Sequence, residues 1–224
     1  MRAMPVPRAN AQMEVKPYSG GTSFCSSRTL LHAFTLIELI VVILIIAVLM
    51  SLAFPAFQGL QNQAKRAQAR NDLAQIVTAV NAFYAEYGKY PLATSDTIYG
   101  PAATSNAALF NELRATAAQT QNPRQIVFIS PPEAKDPVKP RSGIGTSTGA
   151  GQFFDPWGVA YHVEIDGNYN NQIDLNPYST NAGSSPLPAG VIAWSFGKDG
   201  QSQSTSTPSD KNAGTNKDDV ISWQ

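Results

Sequence analysis

Residues 34–57 read FTLIELIVVILIIAVLMSLAFPAF, an apolar run of 24 residues with one charged side chain, Glu38. As an α-helix rising about 1.5 Å per residue, the run would be roughly 36 Å long, and the hydrocarbon core of a bilayer is about 30 Å thick. A buried helix of a soluble protein usually has a polar face, and a cleavable signal peptide usually has an apolar core of only about 7 to 15 residues. The run therefore predicts a membrane-spanning helix.

The charges on either side of this run predict its orientation. The leader 1–33 contains four basic residues and one acidic residue, whereas no charge lies between Glu38 and Lys65. Basic flanks favour the cytoplasmic side of a membrane. We expect a single-pass protein whose amino terminus is cytoplasmic and whose remaining chain is exported.

Composition excludes several classes of function. The chain has 224 residues and a formal net charge of zero, so no global charge recruits nucleic acid. The single cysteine, Cys25, rules out an intrachain disulfide, and two histidines disfavour a histidine-built triad or metal centre. No HExxH or phosphate-loop motif is present in the sequence, which predicts a protein that is not an enzyme.

The start of the apolar run carries a family resemblance. Residues 33–39 read AFTLIEL and Pro55 follows 21 residues after Phe34, a pattern that resembles the amino terminus of type IV prepilins and type II secretion pseudopilins. The resemblance implies that a prepilin peptidase cuts between Ala33 and Phe34, that Phe34 is then N-methylated, and that Glu38 guides the subunit into a filament. Two features depart from the family: Ala33 stands where glycine is usual, and the leader is long.

The helical pattern continues beyond the apolar run. Apolar residues recur at spacings of 4, 3, 4 and 3 and predict an amphipathic half of the same helix over 58–90, at Leu73, Val77, Val80, Tyr84 and Tyr87. Pro55 lacks the amide for its own helical bond and is expected to kink or locally melt the helix. Gly88, followed by Pro91, predicts where the helix ends.

The rest of the chain predicts a sheet after the helix. Residues 91–152 form a variable connecting region, with a short helix around 106–117 and a strand at 125–129. Residues 153–224 form a β-rich region with strands within 153–165, 190–196 and 220–223. The fold class is therefore α+β, a long amino-terminal helix packed on a small antiparallel sheet. Asp155-Pro156-Trp157-Gly158 resembles the DPWG turn of major pseudopilins, whose tryptophan packs beneath the sheet.

Two segments near the carboxyl end, SFGKDG at 195–200 and KDDVISW at 217–223, resemble the calcium loop of major pseudopilins. The resemblance implies Asp199, Asp218 and Asp219 as acidic ligands and the backbone carbonyl of Phe196 as a further ligand. Carboxylates with a carbonyl suit calcium, a hard cation. The long polar spacer 201–217 departs from the family, and the alternative is a set of hydrated carboxylates in a flexible loop.

A second metal loop is suggested by oxygen-bearing side chains at relative positions 1, 3, 5 and 9: Asp166, Asn168, Asn170 and Asp174. The pattern resembles an EF-hand loop, but Asn171 replaces the turn glycine and Pro177 replaces the bidentate glutamate. Segments rich in Asn and Asp also form tight connections without metal.

Together these features predict a structural subunit of a type II secretion pseudopilus, assembled from the bacterial inner membrane into a helical filament. Its head would be periplasmic. Its partners would be further copies of itself, minor pseudopilins, the prepilin peptidase, the inner-membrane assembly platform and membrane lipid, without nucleic acid. The alternatives are a type IV pilin for adhesion, motility or DNA uptake, and a membrane-anchored calcium-binding or hydrolytic domain that never polymerises.

Overall fold

The computed structural model describes residues 35–101, 104–116, 121–178, 180–202 and 209–224, without the side chains of residues 52, 53, 55 and 56. The chain divides into two compact units, Met1–Val48 and Leu49–Gln224. In the first unit the described part is the beginning of α1. The second unit contains the rest of α1 and all the strands found in the described residues.

The first helix, α1, comprises Leu36–Tyr87 and continues through Pro55 and Gly59 without a break. It ends as predicted, because Gly88 adopts a left-handed φ of 68° and donates its N–H to the Tyr84 carbonyl at 2.8 Å. A kink at Pro55 stays a prediction. Among the described residues, no helix combines the length and the apolarity that a membrane span requires, so the spanning role of 34–57 also stays a prediction.

The sheet confirms the predicted α+β class. Four antiparallel strands lie in the order β1-β4-β5-β6, with bounds Thr97–Tyr99, His162–Ile165, Val191–Ser195 and Val220–Ile221. A two-stranded antiparallel sheet pairs β2, Gly143–Ile144, with β3, Phe153–Phe154. The remaining elements are α2, Ala107–Leu113, and a 3₁₀ turn at Gly214–Asp218. The predicted strand within 153–165 is thus split into β3 and β4.

Alternate residues of the central strands face two different hydrophobic clusters. Val163 and Ala193 join the cluster that contains the buried face of α1, whereas Ile192 and Trp194 join a second cluster with Tyr178. This alternation follows from the two-residue period of a strand. The sheet therefore separates a core against α1 from a core beneath residues 173–189.

The buried face of α1 is rotated from the predicted stripe. Its fully buried large apolar side chains recur at spacings of 3, 4 and 3: Leu73, Ile76, Val80 and Phe83. Tyr84, predicted to be buried, is 40% exposed and stacks on Tyr90 with ring centroids 4.6 Å apart. Tyrosine occurs on both buried and exposed faces of helices, because its ring is apolar and its hydroxyl is polar, so its position in the spacing does not decide which face is buried.

The strand predicted at 125–129 is wrong. The Asn122 side chain forms hydrogen bonds with both backbone groups of Ile126. It accepts from the N–H at 3.0 Å and donates to the carbonyl at 2.8 Å. Gln125 has a positive φ of 52°, and the Phe128 N–H donates to the carbonyl of Leu113 at the end of α2. A side chain and a helix end thus satisfy the groups that a neighbouring strand would otherwise bind.

Candidate functional site

The structure brings the three predicted carboxylates of the carboxyl-terminal loop together. One carboxylate oxygen from each of Asp199, Asp218 and Asp219 lies within 4.8 Å of the others. Within the described ranges, this is the one group of three or more acidic, histidine or cysteine side chains with such spacing. Residues nearly twenty positions apart in the chain thus form one cluster.

Local backbone geometry positions these side chains. Gly197 adopts a left-handed φ of 65°, and a Cβ atom there would collide with the backbone oxygen of Asp218. The close approach lets the amides of Lys198 and Asp199 donate to Asp218 Oδ2, the second at 3.0 Å. The two segments that form the cluster are therefore held together by the chain's own hydrogen bonds.

Asp219 is the buried member of the cluster. Its side chain is 6% exposed and Oδ2 accepts a hydrogen bond from the Tyr178 hydroxyl at 2.6 Å, but Oδ1 has no partner among the described residues. Burial raises the pKa of Asp219 to about 7, against the hydrogen bond from Tyr178 and the positive charge of Lys211, which act to lower it. A buried carboxylate oxygen without a partner is costly, and a bound cation would remove that cost. The cluster therefore has oxygen atoms of the kind that could hold a hard cation such as calcium.

The turn at Asp155 braces this loop, a role that sequence reasoning missed. Asp155 is fully buried, and its Oδ1 accepts from the amides of Trp157, Gly158 and Val159 at 2.7 to 2.9 Å. Its Oδ2 accepts from the Ser195 hydroxyl at 2.5 Å, and Ser195 Oγ accepts in turn from the Gly197 amide at 3.1 Å. Hydrogen bonds through Ser195 thus link the DPWG turn to Gly197, at the start of the loop that contains Asp199, Asp218 and Asp219, which we call the acidic loop.

Phe196, the predicted backbone ligand, lies at the end of β5. Its ring is buried and packs on His162 with centroids 4.2 Å apart. His162 also stacks on Trp194 at 5.1 Å. This aromatic packing limits the freedom of the backbone at Phe196, next to the glycine that opens the loop.

The second predicted loop is held by hydrogen bonds among its own residues. Asp166 accepts from the amides of Asn170 and Asn171 at 3.2 and 2.8 Å, and Asn170 Nδ2 donates to Asp174 at 3.0 Å. Asn168 Nδ2 donates to Asp96, at 3.0 Å, a residue that the sequence pattern did not suggest. These contacts favour the metal-free alternative, in which the acidic and amide side chains stabilise a tight connection.

Glu38 takes part in a capping box at the start of α1. Its carboxylate accepts from the Thr35 hydroxyl and amide, both at 2.8 Å, and its own amide donates to Thr35 Oγ1 at 3.3 Å. The spacing Thr-x-x-Glu is a recognised signal of a helix start and was available in the sequence. Ala33 and Phe34, the predicted cleavage and methylation residues, lie outside the described residues.

Comparison with known families supports this account of the amino terminus. The prokaryotic N-terminal methylation motif matches residues 32–54. No curated protein and no solved structure matches the chain. The motif implies processing by a prepilin peptidase and pilin-like polymerisation, and it extends over the beginning of α1. The chain therefore carries a prepilin-type amino terminus, consistent with a pilin-like or pseudopilin-like protein.

Proposed function

We propose that the protein is a non-enzymatic structural subunit of a type II secretion pseudopilus, of the major type. The observation that carries the proposal is the methylation motif at 32–54 on a helix that continues into a head with a small antiparallel sheet. Two further features favour the secretion branch over a type IV pilus. They are the buried turn at Asp155 and the acidic loop that it braces, which resemble the corresponding features of major pseudopilins.

The apolar surface of α1 supports storage in a membrane before assembly. Every described large apolar side chain between Leu36 and Leu60 is exposed, with exposed fractions from 47% to 75%. A continuous apolar surface of this kind requires lipid or other apolar helices around it. We place the subunit in the bacterial inner membrane, with its amino terminus cytoplasmic and its head periplasmic. On assembly the helix would exchange lipid for neighbouring copies of itself.

Glu38 would then have a second role besides capping. Cleavage between Ala33 and Phe34 creates an amino-terminal cation four residues before Glu38. A carboxylate surrounded by apolar helices is costly unless a cation pairs with it. Pairing with the amino terminus of a neighbouring subunit would make entry into the filament favourable and would fix the register of the helices.

Calcium would act on the head and not in any reaction. Asp199, Asp218 and Asp219 would supply carboxylate oxygens, and the backbone of Phe196 would supply a carbonyl. The ion would satisfy Asp219 Oδ1 and reduce repulsion among the three charges. We propose that it stabilises the segment between the two halves of the cluster.

Deleting the gene tests the secretion assignment. We expect the deletion to abolish export of proteins that leave the cell by type II secretion, while the number of surface pili stays unchanged. Immunoblots of the culture medium and electron microscopy of the cells measure the two outcomes. Complementation with the wild-type gene is the control. Normal export together with loss of pili would favour the type IV pilin instead.

Substitution of Glu38 separates its capping role from its charge. Glu38→Gln keeps an acceptor for Thr35 and removes the charge, whereas Glu38→Ala removes both. We expect both variants to enter the membrane and both to lower filament yield at least about tenfold, because each leaves the neighbouring cation without a partner. Cross-linking of membrane fractions measures assembly.

Intact-mass analysis is the control for these variants and should show a chain that begins at Phe34, as in wild type. If Glu38→Gln assembles normally and Glu38→Ala does not, Glu38 acts as a helix cap alone. Wild-type protein that retains Met1 would contradict the prepilin assignment.

A further inference from the structure

A basic cleft lies beside the part of α1 that belongs to the head. It has a volume of about 640 Å³, and its charged lining comprises Lys65, Lys135, Lys139 and Arg141 with Glu133 and Asp136. Lys65 is half-buried, and the other three basic side chains are exposed. We call this group of four cations and two acids the basic cleft.

No cation of the basic cleft forms an ion pair with an acidic side chain in the described part of the chain. The ion pair that the described residues do form joins Arg124 to Glu86, near the carboxyl-terminal end of α1 and away from the cleft. Asp136 uses Oδ1 to accept from the amides of Val138 and Lys139, at 2.9 and 3.0 Å. The hydrogen bonds from these amides, and then the charges of Lys139 and Arg141, lower the pKa of Asp136. The cleft thus retains an excess of positive charge.

An acidic surface lies near the opposite end of the same helical segment. Asp174 is exposed and Asp96 is half-buried, and both carboxylates accept from the side-chain amide of Asn168, at 3.4 and 3.0 Å. The loop that contains Asp174 is attached to the end of α1 because Tyr169 stacks on Tyr90, with centroids 5.6 Å apart. The Tyr169 hydroxyl also accepts a hydrogen bond from the Tyr90 amide at 3.0 Å. We call Asp96 and Asp174 the acidic pair.

The two surfaces are far apart within one head. Lys65 marks the position of the basic cleft on α1. Tyr84 marks the position of the acidic pair, because its ring centroid lies 6.4 Å from that of Tyr169. These two residues are 19 positions apart on α1. At about 1.5 Å per residue this corresponds to roughly 28 Å along the helix. The basic cleft and the acidic pair therefore cannot neutralise each other within one head, because a charge interaction over that distance is screened at physiological salt.

We propose that the basic cleft of one copy docks the acidic pair of the next copy. Two different surfaces that meet in this way form a heterologous contact, which builds an open helical filament when the rotation between copies does not close a ring. Charge complementarity at such a contact fixes register and excludes wrong orientations. The inference rests on the proposed filament function, since it names which surfaces of the head meet in that filament.

Charge reversal on either surface tests the contact. Lys135→Glu with Lys139→Glu, and separately Asp174→Lys, should each lower filament yield about tenfold, because like charges would then face each other. The three substitutions together should restore most of the yield. Arg70→Glu is the matched control: it makes the same change of sign at an exposed basic side chain of α1 that does not line the basic cleft, and it should leave the yield unchanged.

Cysteine pairs test the geometry directly in the full chain. Cys25→Ser removes the single native cysteine, and Lys139→Cys with Asp174→Cys should then give a ladder of disulfide-linked copies in isolated filaments. Arg70→Cys with Asp174→Cys should give no ladder. The ladder also guards against misfolding of the Asp174→Lys variant, since it requires no charge reversal.

The outcomes separate this inference from the proposed function. Wild-type filaments with no ladder, and with no loss on charge reversal, would overturn the contact and leave the filament function intact. Loss on reversal without rescue and without a ladder would also overturn it, in favour of an acidic partner protein. Absence of wild-type filaments would overturn both.

Discussion

Calcium should raise the midpoint of thermal unfolding of the full-length protein in detergent by roughly 5 to 10 °C relative to chelator. A ligand at a hundredfold excess over its dissociation constant stabilises the folded state by about 2.7 kcal/mol, and for a chain of this size each kilocalorie corresponds to a few degrees. The stabilisation arises because three adjacent carboxylates repel one another and Asp219 Oδ1 lacks a partner. Fluorescence of Trp223, four residues beyond Asp219, reports the transition.

Substitutions at the cluster should remove this shift. Asp218→Ala with Asp219→Ala should melt at the same temperature in calcium and in chelator. Asp219→Asn gives a sharper test, because it keeps an acceptor for the Tyr178 hydroxyl while removing the buried charge. It should be at least as stable as wild type in chelator and less stable than wild type in calcium. Asp210→Ala, a nearby acid outside the cluster, should retain the full shift.

Two results would contradict the site. If wild type melts at the same temperature with calcium and with chelator, the carboxylates bind no ion. If the double variant keeps the full shift, the ion binds elsewhere, and the Asp166–Asp174 loop is the first candidate.

Local sequence signals predicted the fold well where a single glycine or an uninterrupted apolar run determines the local structure. Gly88 ends α1 because a left-handed cap suits glycine, and the apolar run before Gly197 forms β5. The prediction failed at 125–129, where the apolar composition suits a strand. There the Asn122 side chain and the end of α2 form hydrogen bonds with the backbone groups that a neighbouring strand would need. Composition alone does not reveal such a competitor.

The candidate site shows the same limit. Asp199, Asp218 and Asp219 could be named from short motifs, but Tyr178 could not, because it lies 41 residues before Asp219 and reaches it only through the fold. Asp96 likewise meets the loop at Asn168 from 72 residues away. Contacts between distant segments depend on sheet order and register, and no local pattern encodes them.

Glu164→Gln should raise the free energy of unfolding by about 2 to 3 kcal/mol at pH 7, in the presence of chelator. Glu164 lies on β4 between Ile98 of β1 and Ile192 of β5 and is 4% exposed. Its Oε2 has no hydrogen-bond partner within the described ranges. Burial, and then the charges of Asp96 and Asp174, raise the pKa of Glu164 to about 8 from its usual 4.5. The folded protein must therefore hold a proton at pH 7 that the unfolded chain releases.

The sign of the pH dependence follows from this difference. Between pH 4.5 and 8 the folded state binds the extra proton, so Glu164 makes the free energy of unfolding fall as pH rises, by roughly 1.4 kcal/mol per pH unit. His162 acts in the opposite direction at lower pH, because burial lowers its pKa to about 4 from 6.5 and stability is lost as pH falls through that range. Above pH 6.5 the contribution of Glu164 is therefore unopposed by His162.

Urea unfolding followed by tryptophan fluorescence at pH 6.5 and pH 8 measures the effect. Wild type should be less stable at pH 8, and Glu164→Gln should show a smaller decline because the amide does not titrate. Glu112→Gln is the matched control: Glu112 is also 4% exposed, but its carboxylate accepts from the Gln121 amide at 2.9 Å, so its replacement should bring no gain. Equal declines for wild type and Glu164→Gln would mean that Glu164 is not the group that binds the proton. In that case the loss of stability would have to come from another group buried against the sheet.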